Sequence, residues 1–417
     1  MARPILQIVS RHVEDAADLW NTRSMLVRAP HVKVRHIGRF DERIAAHLDG
    51  IAVAGETGWK CCETALATAS AGAIFTATVC AIEDANEQGV DTLLSIAETL
   101  PSARTGLIAA FGWVSGQQLI GLVRGLLQST SHFRRIVGIA SCAMHRVDPG
   151  KHLETAIVDP EPSLRARALQ VAGDLGRDDL LPRCIGSLGD PDAQCRFWAA
   201  WSGVLLGDRR AALAKLIDLG REPARLSRNP LQLALMVMEL RAAHSLLAQI
   251  ANDRGHGRDL IRSAAAAGDP SHVPWLIGLM SDLRFTRLAG EAFSWITGVD
   301  LAWLDLDRKP PENVGAGPND DPHDDDVALD EDFGLPWPDP EKVARWWHEN
   351  AHRFPTGSRY FVGAPPSGPH CAQVLLDGYQ RQRIAAAYWG CLLRADRIVF
   401  DCAAPSWRQR RWLERGR

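Results

Sequence analysis

The chain has 417 residues, 46% hydrophobic and only 7% aromatic, with a formal net charge of −3 at pH 7. That length supports a sizeable core and two or three domains, and the near-neutral, slightly acidic balance is not that of a chain that coats nucleic acid. No apolar run reaches the ~20 residues a membrane helix needs. Residues 1–20 carry Glu14, Asp15 and Asp18 where a secretory signal would be continuously apolar. The nine cysteines are scattered, with no CxxC and no His at zinc spacing, so a reduced, cytoplasmic protein without metal or cofactor is expected.

In chain order, residues 8–26 predict an amphipathic helix, followed by a basic connection through Arg28, Lys33, Arg35, His36 and Arg39. A helix is expected to begin at Asp41 and stop at Gly50, with Ile44, Ala45 and Leu48 on one face. Residues 59–82, rich in Ala, Thr and Cys, read as one long or two short buried helices, and Cys61 and Cys62 fall on a helix. A further helix covers 91–100 and is closed by Pro101. Residues 1–100 are thus expected to form an N-terminal helical domain.

The stretch 159–207 reads twice through one pattern. Asp159-Pro160 returns as Asp190-Pro191, Arg165 as Arg196 and Gly176 as Gly207, each at an offset of 31. A period in this range marks stacked supersecondary units. Within one unit, Leu164, Ala168, Val171 and Leu175 lie on one helical face, and Asp159 and Pro160 suit a turn and helix start. Leu180, Leu181, Cys184, Ile185 and Leu188 supply a second short helix. Such a hairpin buries both faces only by stacking on neighbours. The register extends weakly to Arg104 and Arg134 and restarts at Asp269-Pro270, with about six units expected over 101–300. Asp-Pro, four residues, Arg, then an Ala/Gly-rich helix resembles the short HEAT-like repeat. The resemblance implies an all-α fold, a right-handed α-solenoid of helical hairpins. In it Arg165 and Arg196 stack the units by reaching an Asp-bearing turn, Asp159 or Asp190, of an adjacent unit.

Residues 301–340 break the pattern. Residues 300–340 hold thirteen acidic and two basic residues, a net −11 that leaves the rest of the chain at +8 against the total of −3. Seven prolines exclude regular structure from most of the segment, so an acidic, Pro-rich linker or loop is expected. Its carboxylates, Asp320, Asp321, Asp324, Asp325, Asp326, Asp330, Glu331 and Asp332, could form a docking strip for a basic partner. A solvated linker and a cation site at His323 with Asp324–Asp326 are the other readings, although EF-hand spacing and its turn Gly are missing.

Residues 341–417 read as a small C-terminal α(+β) module. Residues 341–354 and 372–395 are helical, and the β-like runs 359–362 and 397–400 could pair. The closing Trp407-Arg408-Gln409-Arg410-Arg411-Trp412 alternates aromatic and basic side chains. It fits a capping helix with Trp inside and Arg outside better than a nucleic-acid contact, and direct nucleic-acid binding is not expected. Walker, GxGxxG, HExxH and GxSxG motifs are all missing. His145 and His152 lie near repeat turns, where surface roles are expected, so no catalytic residue is assigned.

Three stretches extend the resemblance. They are Arg35-His36 through Asp41-Glu42-Arg43 and His47-Leu48-Asp49-Gly50, then Leu335-Pro336-Trp337-Pro338-Asp339-Pro340, and finally Trp407-Arg408-Gln409-Arg410-Arg411. Together they resemble a bacterial family of HEAT-like repeat proteins encoded beside type VI secretion effectors with PAAR-like toxin neighbours. The resemblance implies a non-enzymatic scaffold that binds a secreted effector toxin, either as its immunity protein or as an adaptor loading it onto the secretion spike. HEAT-like repeats also occur in bilin lyases, which keeps an enzyme among the alternatives.

Overall fold

Small residues at helical spacing let helices of this chain approach closely, and a computed structural model shows how that closeness is used. It describes residues 4–222, 228–252, 257–311 and 330–415. The fold is all-α: the described residues form helices, apart from connections and one two-residue ladder. Two compact units emerge, one from Met1–Arg28, Val32–Ala212 and Ala395–Arg417, the other from Ala29–His31 and Leu213–Arg394.

In the first unit, Leu6–Leu26, Ala71–Glu83, Arg104–Trp113, His132–Met144, Pro162–Asp174 and Ala193–Leu205 pack each on the next. A further helix packs on most of these: Glu87–Thr99, Leu122–Leu127, Lys151–Ala156 and Leu181–Gly186. The stack therefore runs through residue 100 without a break. Glycine makes the spacing possible. A Cβ on Gly106 would stand 1.9 Å from the Ala71 carbonyl oxygen, and one on Gly173 would stand 2.4 Å from Ser202 Oγ. Larger side chains fill the remaining space. Phe75, Phe111, Phe197 and Trp201 are at most 1% exposed, and each such burial contributes roughly 1.5–3 kcal/mol.

The second unit repeats the scheme with Pro230–Val237, Gly257–Ala267 and Thr286–Thr297 in succession, and with Leu240–Asn252 and Val273–Leu279 against them. Asp307–Arg308 pairs antiparallel with Trp337–Pro338, so this short ladder joins the two ends of the acidic segment.

Several local expectations change. Gly50 does not end its helix, which runs Val34–Val53; a Cβ there would meet the His12 ring at 3.0 Å, so packing selects the glycine. The turn aspartates do not cap the repeat helices. Glu161 and Asp192 occupy those N-cap positions, while Asp159 Oδ1 and Asp190 Oδ1 accept the N–H two residues on and close the turn.

The β-like runs 359–362 and 397–400 do not pair. Residues 396–400 belong to the first unit, where Val399 N–H donates to Asp174 O and Arg397 donates to Leu206 O. Residues 359–363 belong to the second. There Tyr360 N–H donates to Gly268 O, Gly363 N–H to Ile296 O, and Arg359 to the carbonyls of Met236, Met238 and Ala267. Neither segment is a strand, with Val362 and Arg397 at positive φ, and each crosses the C-terminal ends of helices in its own unit. Carbonyls left without intrahelical donors there supply the acceptors. Gly268, at φ +71°, leaves the room: a Cβ would lie 2.3 Å from Tyr360 O. The C-terminal residues are thus shared between the two units.

Candidate binding sites

The repeat turns come first because they set the rigidity of any binding face. Arg165 grips Asp190 with one edge of its guanidinium, Nε to Oδ2 at 2.7 Å and Nη2 to Oδ1 at 2.9 Å. Its Nη1 donates back to the carbonyls of Asp159 (2.6 Å) and Pro160 (3.1 Å). One side chain therefore ties its own turn to the next. Arg196 makes the same backward contacts, to Asp190 O and Pro191 O at 2.9 Å each. The Arg165 hydrogen bond holds the Asp190 carboxyl below the usual carboxylate range. One unit earlier it is Arg135, not Arg134, that reaches Asp159 Oδ2, at 3.0 Å. Arg134 turns to Asp91 and Glu98. Arg165 thus bridges two turns, whereas among the described residues Arg196 contacts only the turn of its own unit.

Of the acidic strip, Asp320, Asp321, Asp324, Asp325 and Asp326 lie outside the described residues, as does the His323 cation site. Asp330, Glu331 and Asp332 are described and each is ion-paired; Asp330 and Asp332 are largely covered, whereas the Glu331 side chain is 63% exposed. Asp330 pairs with Arg287 at 2.5 Å, Glu331 with Arg262 at 2.7 Å, and Asp332, itself 3% exposed, with Arg258 at 2.5 Å. Arg381 donates to the Glu331 carbonyl at 2.6 Å and pairs with Glu291 at 2.8 Å. Burial nevertheless pushes the Glu291 carboxyl up. The Arg262 hydrogen bond draws the Glu331 carboxyl down; at Asp330, burial opposes the shift but hydrogen bonds from Arg287 and a backbone N–H prevail. Arg287 also lies over Trp337, 4.9 Å from the ring centre. Arginines at 258, 262 and 287 pair with these three carboxylates, and Arg381 bonds the Glu331 carbonyl, so the end of the segment is tied to its own unit.

The third feature lies within the first unit. Asp41 is buried against Arg23 and accepts Ser406 N–H at 2.6 Å, which holds the start of the Ser406–Arg415 helix. Two stretches that carry the resemblance, at Asp41 and at Trp407–Gln409, therefore meet in space. Arg408 is not on the wet side. It donates to the carbonyls of Gly112, Trp113 and Val114, capping the helix Arg104–Trp113. Burial lowers its pKa, an effect the bonded carbonyls make tolerable. Trp407 packs edge-on against Trp113 at 4.8 Å, and Arg146 stacks on Trp412 at 4.0 Å.

Beside this helix is a cleft of about 420 Å³. Asp49 and Glu83 line it on helices Val34–Val53 and Ala71–Glu83, and Trp407, Arg411 and Trp412 line it on the terminal helix. His145 also lines the cleft and is half-buried, not a surface residue: its Nε2 is 2.8 Å from Phe111 O. Burial lowers its pKa, with Arg408 adding to the effect. The sequence contained one usable signal for this cleft: Trp407 and Arg411, and Arg408 and Trp412, stand four apart and share a helical face. Nothing local marked Asp49, Glu83 or His145.

Residues 150–236 match the family described as HEAT repeats. No curated protein and no solved structure matches the chain. Among the described residues no helix is long and apolar enough to cross a membrane, and no group of three or more His, Cys, Asp or Glu could hold a metal ion. The chain is thus an all-α protein with HEAT-like repeat hairpins, a fold that serves generally as a protein-binding scaffold.

Proposed function

We propose that this chain is a non-enzymatic, cytoplasmic protein-binding scaffold that acts as an immunity protein, binding and neutralising a cognate type VI secretion toxin. The repeat stack carries the reading. Its turns are locked by two-ended arginine contacts such as Arg165 to Asp190. A surface ordered before binding loses little entropy when it grips a folded domain. The type VI assignment rests on the resemblance at Arg35–Gly50, Leu335–Pro340 and Trp407–Arg411.

In this reading the carboxylates that meet the partner are Asp320, Asp321, Asp324, Asp325 and Asp326, with Asp330, Glu331 and Asp332 ion-paired to arginines of their own unit. Five carboxylates on a segment fixed at its base suit a basic groove, such as that of a nuclease, and would speed association by charge.

The test is co-expression with the effector encoded by the adjacent gene. Rescue of growth, together with a complex whose affinity falls and becomes less salt-sensitive when the five Asp are changed to Asn, is expected. A complex formed without rescue, through the effector's N-terminal tip region, would instead establish the adaptor role. No complex with any neighbouring product would overturn the reading.

A further inference from the structure

The cleft in the first unit is lined by side chains of both charges. Asp49 and Glu83 have no ion-pair partner among the described residues, and neither does Arg411. Burial pushes the Glu83 carboxyl up, and the Asp49 charge adds to that shift. Two like charges facing one cleft are stabilised by an arriving cation. His145 contributes in a defined orientation. Its Nε2 faces the Phe111 carbonyl, which can only accept, so the proton sits on Nε2. Burial disfavours the charged ring, and in the neutral tautomer with its proton on Nε2 the Nδ1 is a lone-pair acceptor.

Of the two lining arginines, Arg408 is spent on three backbone carbonyls, whereas Arg411 keeps its donors. Trp407 and Trp412 add apolar area to the lining. Its volume is within the ~300–1,000 Å³ of small-molecule sites.

We propose that this cleft binds a small dipolar molecule with an amino or guanidino cation at one end, a carboxylate at the other and a short apolar body between them. The cation lies between Asp49 and Glu83 with an N–H directed at His145 Nδ1, the carboxylate meets Arg411, and the body lies along Trp407 and Trp412. A purely cationic ligand leaves Arg411 opposed by like charge, and a purely anionic one meets two carboxylates. The cleft shares no residue with the acidic segment, so loss of toxin binding and loss of this ligand are independent results.

The probes are three molecules of similar length: 4-guanidinobutyrate, agmatine and adipate, which carry respectively a cation and an anion, two cations, and two anions. Each is titrated calorimetrically into the full chain and into the D49N/E83Q and R411A variants. All three substituted positions are exposed, and thermal unfolding checks that the variants fold. We expect 4-guanidinobutyrate to bind at least about tenfold more tightly than either control, a ratio that one charge-assisted hydrogen bond supplies. Both variants should erase that preference, D49N/E83Q through the cation and R411A through the anion. Equal binding of the three probes, a preference unchanged in the variants, or no measurable heat for 4-guanidinobutyrate at 10 mM would each overturn the proposal; about 10 mM lies at the weak end of specific small-ligand binding.

Discussion

Replacing Arg165 by Met tests whether the repeat turns are coupled as their geometry requires. The substitution keeps much of the apolar stem but removes two bonds to Asp190 and two to backbone carbonyls. The side chains are 13% exposed at Arg165 and 9% at Asp190, so the stranded carboxylate has little access to water. Removing one member of a buried pair costs about 3–5 kcal/mol. The remaining exposure and the retained Asp192 N–H bond to Asp190 bring the expectation to about 2–3 kcal/mol.

The assay is urea unfolding of Arg165→Met, Asp190→Asn and the double variant, with hydrogen exchange to locate the loss. The cycle should return a coupling of about 1–2 kcal/mol, and exchange should rise first in Pro162–Asp174 and Ala193–Leu205. pH supplies a second readout. The Asp190 carboxyl is depressed in the folded chain, so its contribution is fully present above the unfolded value of about 3.9 and is lost as pH falls through the folded value. The gap between wild type and Arg165→Met should therefore be the same at pH 7 and pH 5 and close only in strong acid. Additive single-variant costs, or a gap that closes already near pH 6, would refute the coupling.

Two further outcomes follow from the same geometry. Changing Asp330, Glu331 and Asp332 to their amides should lower the thermal midpoint of the chain at pH 7. The wild-type advantage should fade below about pH 4, because Asp330 and Glu331 titrate below their unfolded values. An unchanged midpoint would mean that these ion pairs do not anchor the segment. All nine cysteines are buried, and burial pushes Cys142 and Cys371 up to about 11 and Cys184 and Cys195 up to about 12. A thiol-specific reagent at pH 8 should leave the native chain unmodified and label nine sites after unfolding; rapid native labelling of any one would contradict the packing.

The 31-residue register was legible because its markers do local work. Arg165 reaches six residues back, and Gly176 and Gly207 take up positive φ where helices end. The acidic run was legible as charge but not as structure: its arginine partners sit at 258, 262, 287 and 381, with no spacing that points to 330–332. The β-like runs were misread for a related reason. A stretch such as 397–400 carries the composition of a strand, and only position reveals that its acceptor is the Asp174 carbonyl, more than two hundred residues away. The cleft was half legible, in the spacing of the terminal Trp and Arg residues.

The preference for arginine explains how these long-range contacts persist. The chain holds 41 Arg against 6 Lys, and Arg165, Arg359 and Arg408 each donate to two or three backbone carbonyls. A planar guanidinium has five donors in a fixed fork, whereas an ammonium places three around a single point. Helix C-termini present several carbonyls a few ångströms apart, and the fork spans them where a lysine reaches one. Arginine at these ends also opposes the negative end of the helix dipole. The terminal segments thereby hold the ends of the repeat helices without a strand ladder, and each unit keeps its stacked face in one arrangement before any partner arrives.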